Sequence, residues 1–303
     1  MLTKKFFVLF FLSIIFSSCT KKEEKNPESI SIAKFTLKDD LGIEVSFDSM
    51  PKRIISMAPN ITEGLYAIGA QDNIVGVTEF CDYPLEAKQK TKVGGYDNAN
   101  YEMVAALKPD VVLITVESIN RPMYQALQNL GIKMFVLNAK NVDGVAAMMN
   151  TLGKLTGKEK EAQSISSKIK SERDSINGRK DSDTQNKCLV IVGTNPIMTA
   201  SKTSFINEIM LLSGLDNIYA DSPMDYPTIS YEDITVKNPA YLLLPYDTTK
   251  TDKLKVELDE IRKQLSSVEA VKKNNFIVVD NNVVFRPGPR VMDAVRLIRS
   301  NVK

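Results

Sequence analysis

Tyr101-Glu102-Met103-Val104-Ala105-Ala106-Leu107-Lys108-Pro109-Asp110-Val111-Val112-Leu113-Ile114 decides the fold, because its plan occurs twice. The second copy is Tyr231-Glu232-Asp233-Ile234-Thr235-Val236-Lys237-Asn238-Pro239-Ala240-Tyr241-Leu242-Leu243-Leu244. In both, a Tyr-Glu pair lies eight and seven residues ahead of a proline, and an apolar run begins two residues after it. The pattern reads as a helix closed by the proline, then a short strand apolar enough to be covered on both faces. A further echo agrees: Gly69-Ala70-Gln71-Asp72-Asn73-Ile74 returns, one residue shorter, as Gly214-Leu215-Asp216-Asn217-Ile218. One plan used twice predicts two lobes of the same architecture.

Outward from these segments, apolar runs and amphipathic stretches alternate. Strands are predicted at 53–57, 74–77, 111–114 and 134–137, and helices at 62–68, 101–107 and 123–130. Gly69 and Gly131 stand where helix C-terminal caps belong. In the second half a strand at 188–192 precedes a helix at 205–212 that ends near Gly214. Such alternation over short connections specifies α/β units around mostly parallel sheets. Between the halves, Val142, Val145, Ala146, Met149, Leu152 and Leu155 keep the spacing of a helix face, and after Gly157 so do Ala162, Ile165, Ile169 and Ile176. The chain therefore divides into an N-terminal α/β lobe (35–141), a bridging helical segment (142–178) and a C-terminal α/β lobe (179–303). A stiff helix of about 20 residues, roughly 30 Å long, is expected to join the lobes and permit only small relative motion.

The N-terminus is built differently. Lys4 and Lys5 precede residues 6–16, which are apolar but for Ser13. Eleven residues as a helix span about 16 Å, half a bilayer core, so this is a signal-peptide core and not a membrane anchor. Ser17-Ser18-Cys19 follows and resembles a bacterial lipobox, with Phe16 where an aliphatic residue is usual. The other reading is an ordinary secretory peptide cut near Ser18. On the lipobox reading, 1–18 is the leader, Cys19 carries the lipid, and 19–34 is a flexible Lys- and Glu-rich tether. That places the protein at the cell envelope, on the periplasmic face or at the cell surface. Lys22-Glu23-Glu24 faintly resembles a surface-export signal.

Composition narrows the chemistry. The net charge of +2 on 39 basic and 37 acidic residues, without a basic block, offers no nucleic-acid surface. The chain has no histidine, so His-based zinc sites, Ser-His-Asp triads and Cys-His dyads are excluded. No GxSxG elbow, Walker loop or GxGxxG is present, and no spacing picks out a carboxylate pair. These absences argue against an enzyme, and neither catalytic nor metal-ligating residues are assigned. Cys81 and Cys188, far apart in sequence, leave a disulfide open, but a chain of this size does not need one.

Several motifs bring a family into view: Pro51-Lys52-Arg53-Ile54-Ile55-Ser56, Ala58-Pro59, Thr62-Glu63, Phe80-Cys81-Asp82-Tyr83-Pro84, Val93-Gly94-Gly95-Tyr96, Leu107-Lys108-Pro109-Asp110 and Arg286-Pro287-Gly288-Pro289-Arg290. From about Phe35 onward the chain resembles the helical-backbone (class III) substrate-binding proteins of importers for vitamin B12, haem and ferric siderophores. The Asp-Tyr-Pro and Gly-Gly-Tyr segments are more typical of the cobalamin branch. The resemblance implies two Rossmann-like α/β lobes bridged by a single long α-helix, with ligand in the cleft between them. It implies a monomer that takes up cobalamin or a related corrinoid and delivers it to an ABC permease dimer with its ATPase subunits. A ferric-siderophore or haem binder is the second reading, and an enzyme or adhesin reusing the fold the third. No cofactor of its own is implied.

By the same resemblance Glu102 and Glu232 are the two carboxylates, one per lobe, that dock onto permease arginines. Each also suits the first turn of its helix, with Asn100 and Ser230 as N-caps and Asp233 completing a capping box. Phe80 and Tyr96 are the aromatic candidates for the flat face of a corrin or porphyrin, Tyr96 standing where cobalamin binders often carry Trp. Arg286, in a proline-stiffened loop, is expected to face the cleft. Pro59, Asn60 and Met198, beside strand ends, complete the ligand-binding set. Packing beneath loops is the alternative role for Phe80 and Tyr96, and an exposed surface position the alternative for Arg286.

Overall fold

The computed structural model describes residues 34–95, 98–119, 122–177 and 186–302. The leader, Cys19 and nearly all of the tether lie outside the described residues, and so does Tyr96. An antiparallel hairpin opens the described chain: β1 (Phe35–Lys38) and β2 (Glu44–Phe47). The N-terminal lobe continues with β3 (Ile54–Ser56), α1 (Pro59–Ala67), β4 (Ile74–Val77), α2 (Tyr101–Ala106), β5 (Val111–Thr115), α3 (Pro122–Asn129) and β6 (Met134–Leu137). Then come α4 (Val142–Thr156) and α5 (Glu159–Asn177). The C-terminal lobe begins with β7 (Lys187–Val190), the small antiparallel pair β8 (Gly193–Thr194) and β9 (Ile197–Met198), α6 (Phe205–Leu212), β10 (Asp216–Asn217) and α7 (Tyr231–Lys237). It ends with β11 (Tyr241–Tyr246), α8 (Thr251–Gln264), α9 (Glu269–Lys272), β12 (Phe276–Asp280), α10 (Asn281–Val284) and α11 (Val291–Arg299).

The repeat seen in the sequence is a repeat of topology. Each lobe holds a four-stranded parallel sheet, ordered β4-β3-β5-β6 in one and β10-β7-β11-β12 in the other. In both, the second strand in chain order flanks the first, and the third and fourth follow on the other side. The detail repeats too. Lys108 and Asn238, each just before the proline, both turn at φ 44°. Asp110 N–H donates to the Arg53 carbonyl at 2.8 Å, and Ala240 N–H to the Lys187 carbonyl at 2.8 Å. The helix-to-strand corner of the opening motif is thus one local structure built twice.

Burial follows strand parity. Along β5, Val111 and Leu113 join one cluster while Val112 and Ile114 join another. Along β11, Tyr241 and Leu243 join the first cluster and Leu242 and Leu244 a third. The first cluster is continuous from one sheet to the other, through Met149 and Leu152 of α4, Ile169 of α5 and Val295 of α11. One face of each sheet is therefore private to its lobe, and the opposite face is part of a shared apolar layer. Each fully buried aliphatic side chain there contributes about 1.5–3 kcal/mol. The lobes are held by this layer as well as by their covalent connection.

The segment expected to be a stiff connecting helix is a helical hairpin. Gly157 ends α4 in the left-handed conformation at φ 68°, and α5 turns back along α4. The pairing Asn150 Nδ2 to Ser166 Oγ (3.0 Å) and the Arg173–Asp143 ion pair set the two antiparallel. They approach closely at Gly153, where a Cβ would lie 2.5 Å from that of Ala162. With 19 residues α5 is about 28 Å long and carries the chain towards the second lobe. Pro59 occupies the first helical position of α1, so that helix starts earlier than its apolar spacing alone indicates. Cys81 and Cys188 are free and buried, and burial pushes the Cys188 thiol pKa up. No helix among the described residues is long and apolar enough to cross a membrane.

Candidate ligand cleft and docking faces

The C-terminal ends of parallel strands are where α/β sheets hold ligands, since loops gather there. In the first lobe these ends carry α1 and the loop that contains Phe80. Phe80 is 50% exposed, and its ring lies against Gly95, whose Cβ would sit 3.1 Å from it. Gly94 has φ +90° and a Cβ there would lie 2.4 Å from the Asn98 carbonyl oxygen, so this wall needs glycine. In the second lobe a cavity of about 250 Å³ opens at the ends of β7 and β11, lined among others by Thr194, Tyr246, Asp247, Lys250, Asn281 and Phe285. Met198 is half-buried in β9, beside Gly193 of β8. A wider depression of about 610 Å³, beside Tyr66, Gln71 and Lys90, lies at the far end of α1.

The floor between the lobes is polar and ordered. Glu63 of α1 is 2% exposed and receives both arginines of the Arg286-Pro287-Gly288-Pro289-Arg290 loop. Arg290 binds it through two nitrogens, Nε to Oε2 and Nη2 to Oε1, both at 2.8 Å. Arg286 Nη1 reaches Glu63 Oε1 at 3.2 Å and Asp82 Oδ1 at 2.7 Å. Its Nη2 donates to Asn282 Oδ1 at 2.7 Å and to the Phe80 carbonyl at 3.3 Å. The Arg290 guanidinium also lies 3.8 Å from the Tyr83 ring centroid. Burial opposes the charge on both arginines, but the carboxylates outweigh it and hold their pKa values above the ordinary range. Asn60 joins the same contact, donating to the Pro287 carbonyl at 3.3 Å.

The structure thus brings Pro59, Asn60, Phe80 and Arg286 to one region and places Met198 on the opposite lobe. Pro59 and Asn60 are buried floor residues, and the Arg286 side chain, only 13% exposed, is spent on protein partners. Glu63 and Arg290 went unassigned in the sequence, because nothing there shows that α1 meets the last loop. Tyr226 also went unassigned. Burial first, and the Asp225 and Glu117 carboxylates next, push its hydroxyl pKa up. Glu117 belongs to the turn after β5, so Tyr226 of the second lobe stands close to the first. Its signal was legible: Asp225-Tyr226-Pro227 repeats Asp82-Tyr83-Pro84.

Among the described residues, the basic side chains at these strand ends carry carboxylate partners. Lys250 pairs with Asp247 at 2.9 Å and Lys253 with Glu257 at 3.7 Å, beside the arginines already described. The Lys250 bond, with those from Thr249, draws the Asp247 carboxyl down to about 2. The described walls are consequently aromatic and polar, with these four cations neutralised. Among the described residues no group of His, Cys, Asp and Glu side chains is arranged to hold a metal ion.

Glu102 and Glu232 are exposed, each the second residue of its helix. The expected caps are present: Asn100 Oδ1 accepts from Met103 N–H at 2.9 Å and Ser230 Oγ from Asp233 N–H at 3.1 Å. Asp233 directs its carboxylate to the Tyr219 hydroxyl at 2.6 Å instead of completing a capping box. Its own backbone N–H, then Ser230, hold the Glu232 carboxyl below the usual range. Helices α2 and α7 precede equivalent strands, so the two carboxylates are related by the internal repeat.

Comparison with known proteins agrees with this architecture. The chain is 27% identical over 262 residues to a vitamin B12-binding protein of Pectobacterium carotovorum, covering 84% of this chain and 89% of that one. It is 29% identical over 289 residues to the ABC transporter substrate-binding lipoprotein YvrC of Bacillus subtilis, covering 93% and 90%. The crystal structure of the periplasmic vitamin B12-binding protein BtuF of Vibrio cholerae superposes with a TM-score of 0.72 at 26% identity, over 83% of this chain and 96% of that one. With the family model matched across residues 54–283 and two parallel-sheet lobes meeting over a cleft, the chain belongs to the periplasmic binding protein family.

Proposed function

We propose that this protein is the lipid-anchored substrate-binding component of an ABC importer, and that it captures a corrinoid such as cobalamin. The observation that carries the ligand class is the balance of charge in the cleft. Among the described residues Lys250, Lys253, Arg286 and Arg290 are each paired with carboxylates, so that aromatic and neutral polar groups are what these walls offer a ligand. A flat macrocycle with a rim of carboxamides suits such walls, because amides both donate and accept hydrogen bonds without carrying charge. Haem, with two carboxylates, and anionic ferric chelates would need unpaired cations to offset their desolvation. The names of the B12-binding relatives support the same reading. Phe80 and Met198 act as the walls and Pro59 and Asn60 as the floor, and Tyr96 is a further ligand contact on this reading.

Glu102 and Glu232 supply docking. A permease of two equal subunits presents one basic pocket twice, and two carboxylates related by an internal repeat match it. Such charges orient the complex more than they tighten it. The protein works as a monomer, and the lipid on Cys19 keeps it near the permease, raising its local concentration without any further contact. Titration of the form beginning at residue 27 with cyanocobalamin, haem and a ferric siderophore tests the reading. Saturable binding of cyanocobalamin with little response to the others is expected. Haem or siderophore binding alone would replace the corrinoid assignment, and no binding to any would remove the transport role.

A further inference from the structure

We propose that Arg286 is a positioning residue that fixes the Phe80 wall from behind and sets the width of the cleft, with Glu63 and Arg290 as its anchor. The inference rests on the reading of this cleft as the ligand site. A guanidinium has five N–H donors, four of them on the two terminal nitrogens. Those four meet Glu63, Asp82, Asn282 and the Phe80 carbonyl, so the face that a ligand contact would use is already engaged.

The arrangement has a mechanical consequence. Phe80 and Asp82 belong covalently to the first lobe, yet an arginine of the second lobe holds them both. Arg290 fixes that arginine's loop by its two-point contact with Glu63 and by stacking on Tyr83. Parting the lobes would therefore pull on the wall that faces the ligand. Opening and reshaping of the cleft are one movement. A lysine at 286 could hold a point charge there but could not span four acceptors.

The test uses the full-length protein in detergent, with cyanocobalamin as probe and hydrogen exchange of the segment 78–84 as a second readout. Arg286→Gln and Asp82→Asn are each expected to weaken binding roughly tenfold, the order set by one charge-assisted hydrogen bond. The double variant should be no weaker than the worse single one, and Arg286→Lys should fail to rescue. Exchange at 78–84 should rise in both single variants without ligand. An Asp82→Asn protein with wild-type affinity beside a weakened Arg286→Gln protein would make Arg286 a ligand contact and overturn the proposal. If the wild type binds no cyanocobalamin, the corrinoid reading fails while the exchange measurement still decides the clasp; unchanged exchange at 78–84 overturns it. If Arg286→Gln does not fold, Asp82→Asn, at a half-exposed site, carries both readouts.

Discussion

Replacing Glu63 with Gln keeps the size of the side chain and removes one charge from the floor of the cleft. Glu63 is 2% exposed and faces two arginine side chains that are 13% and 18% exposed. Three charge-assisted hydrogen bonds end on it, each worth about 1.5–3 kcal/mol in isolation. Their sum overstates the loss, because Arg286 keeps Asp82 and Asn282 and the amide keeps one acceptor oxygen. Arg290 loses most, since the amide NH₂ now meets one of its own donors. Breaking a buried pair on one side costs about 3–5 kcal/mol, and the lower half of that range, about 3–4 kcal/mol, is the expected destabilisation. At roughly 2–4 °C per kcal/mol for a chain of this size, Tm falls by about 6–16 °C. Calorimetry at neutral pH measures it, and 1 M salt should leave most of the difference in place because buried pairs are weakly screened. A Glu63→Gln protein within about 1 kcal/mol of wild type would refute the reasoning, showing that the arginines satisfy themselves elsewhere.

Four further outcomes are expected. Gly153→Val should lower stability by about 2 kcal/mol or more in thermal melts, since its Cβ would stand 2.5 Å from that of Ala162 and force α4 and α5 apart; an unchanged melt would contradict that packing. Glu208 accepts the Val142 N–H at 2.7 Å from the start of α4, and burial, opposed by that bond, holds its carboxyl above 4.5. The folded state then binds more protons than the unfolded one, so this group's contribution is present at acid pH and is lost as pH rises past the ordinary carboxylate range; Glu208→Gln should flatten that slope in urea titrations, and an unaltered slope would count against it. Reversing both charges, Glu102→Lys with Glu232→Lys, should abolish import and leave ligand affinity intact; normal import would dismiss the docking role. Radioactive fatty acid should label the wild type and spare Cys19→Ser, and label on the variant would end the lipid assignment.

The sequence was most readable where structure is local. The helices and strands around Tyr101 and Tyr231 were legible because capping, proline and strand burial act within about ten residues. The strands at Ile74–Val77 and Met134–Leu137 and the helix at Phe205–Leu212 fall where their apolar spacing predicts. Helix α8 was less legible, since it exposes most of its length and its stripe is diluted by Lys, Glu and Asp. The β1–β2 hairpin was less legible because its strands alternate covered residues with exposed Thr36, Lys38, Glu44 and Ser46 and so present no apolar run, Phe35 stacking on Phe47 at 5.2 Å.

By itself the sequence determined that there are two lobes on one plan, that histidine-based chemistry is absent, and that two glutamates occupy matching helix starts. Only the tertiary structure decided that Glu63 meets Arg286 and Arg290 across 223 and 227 residues of chain. Only it folded the bridge into a hairpin beneath a shared apolar layer. The physical reason is range. Hydrophobic periodicity and capping leave a mark on neighbouring residues. An ion pair between distant segments has no period, so 39 basic and 37 acidic residues carry no sign of which of them will meet until the sheets have packed.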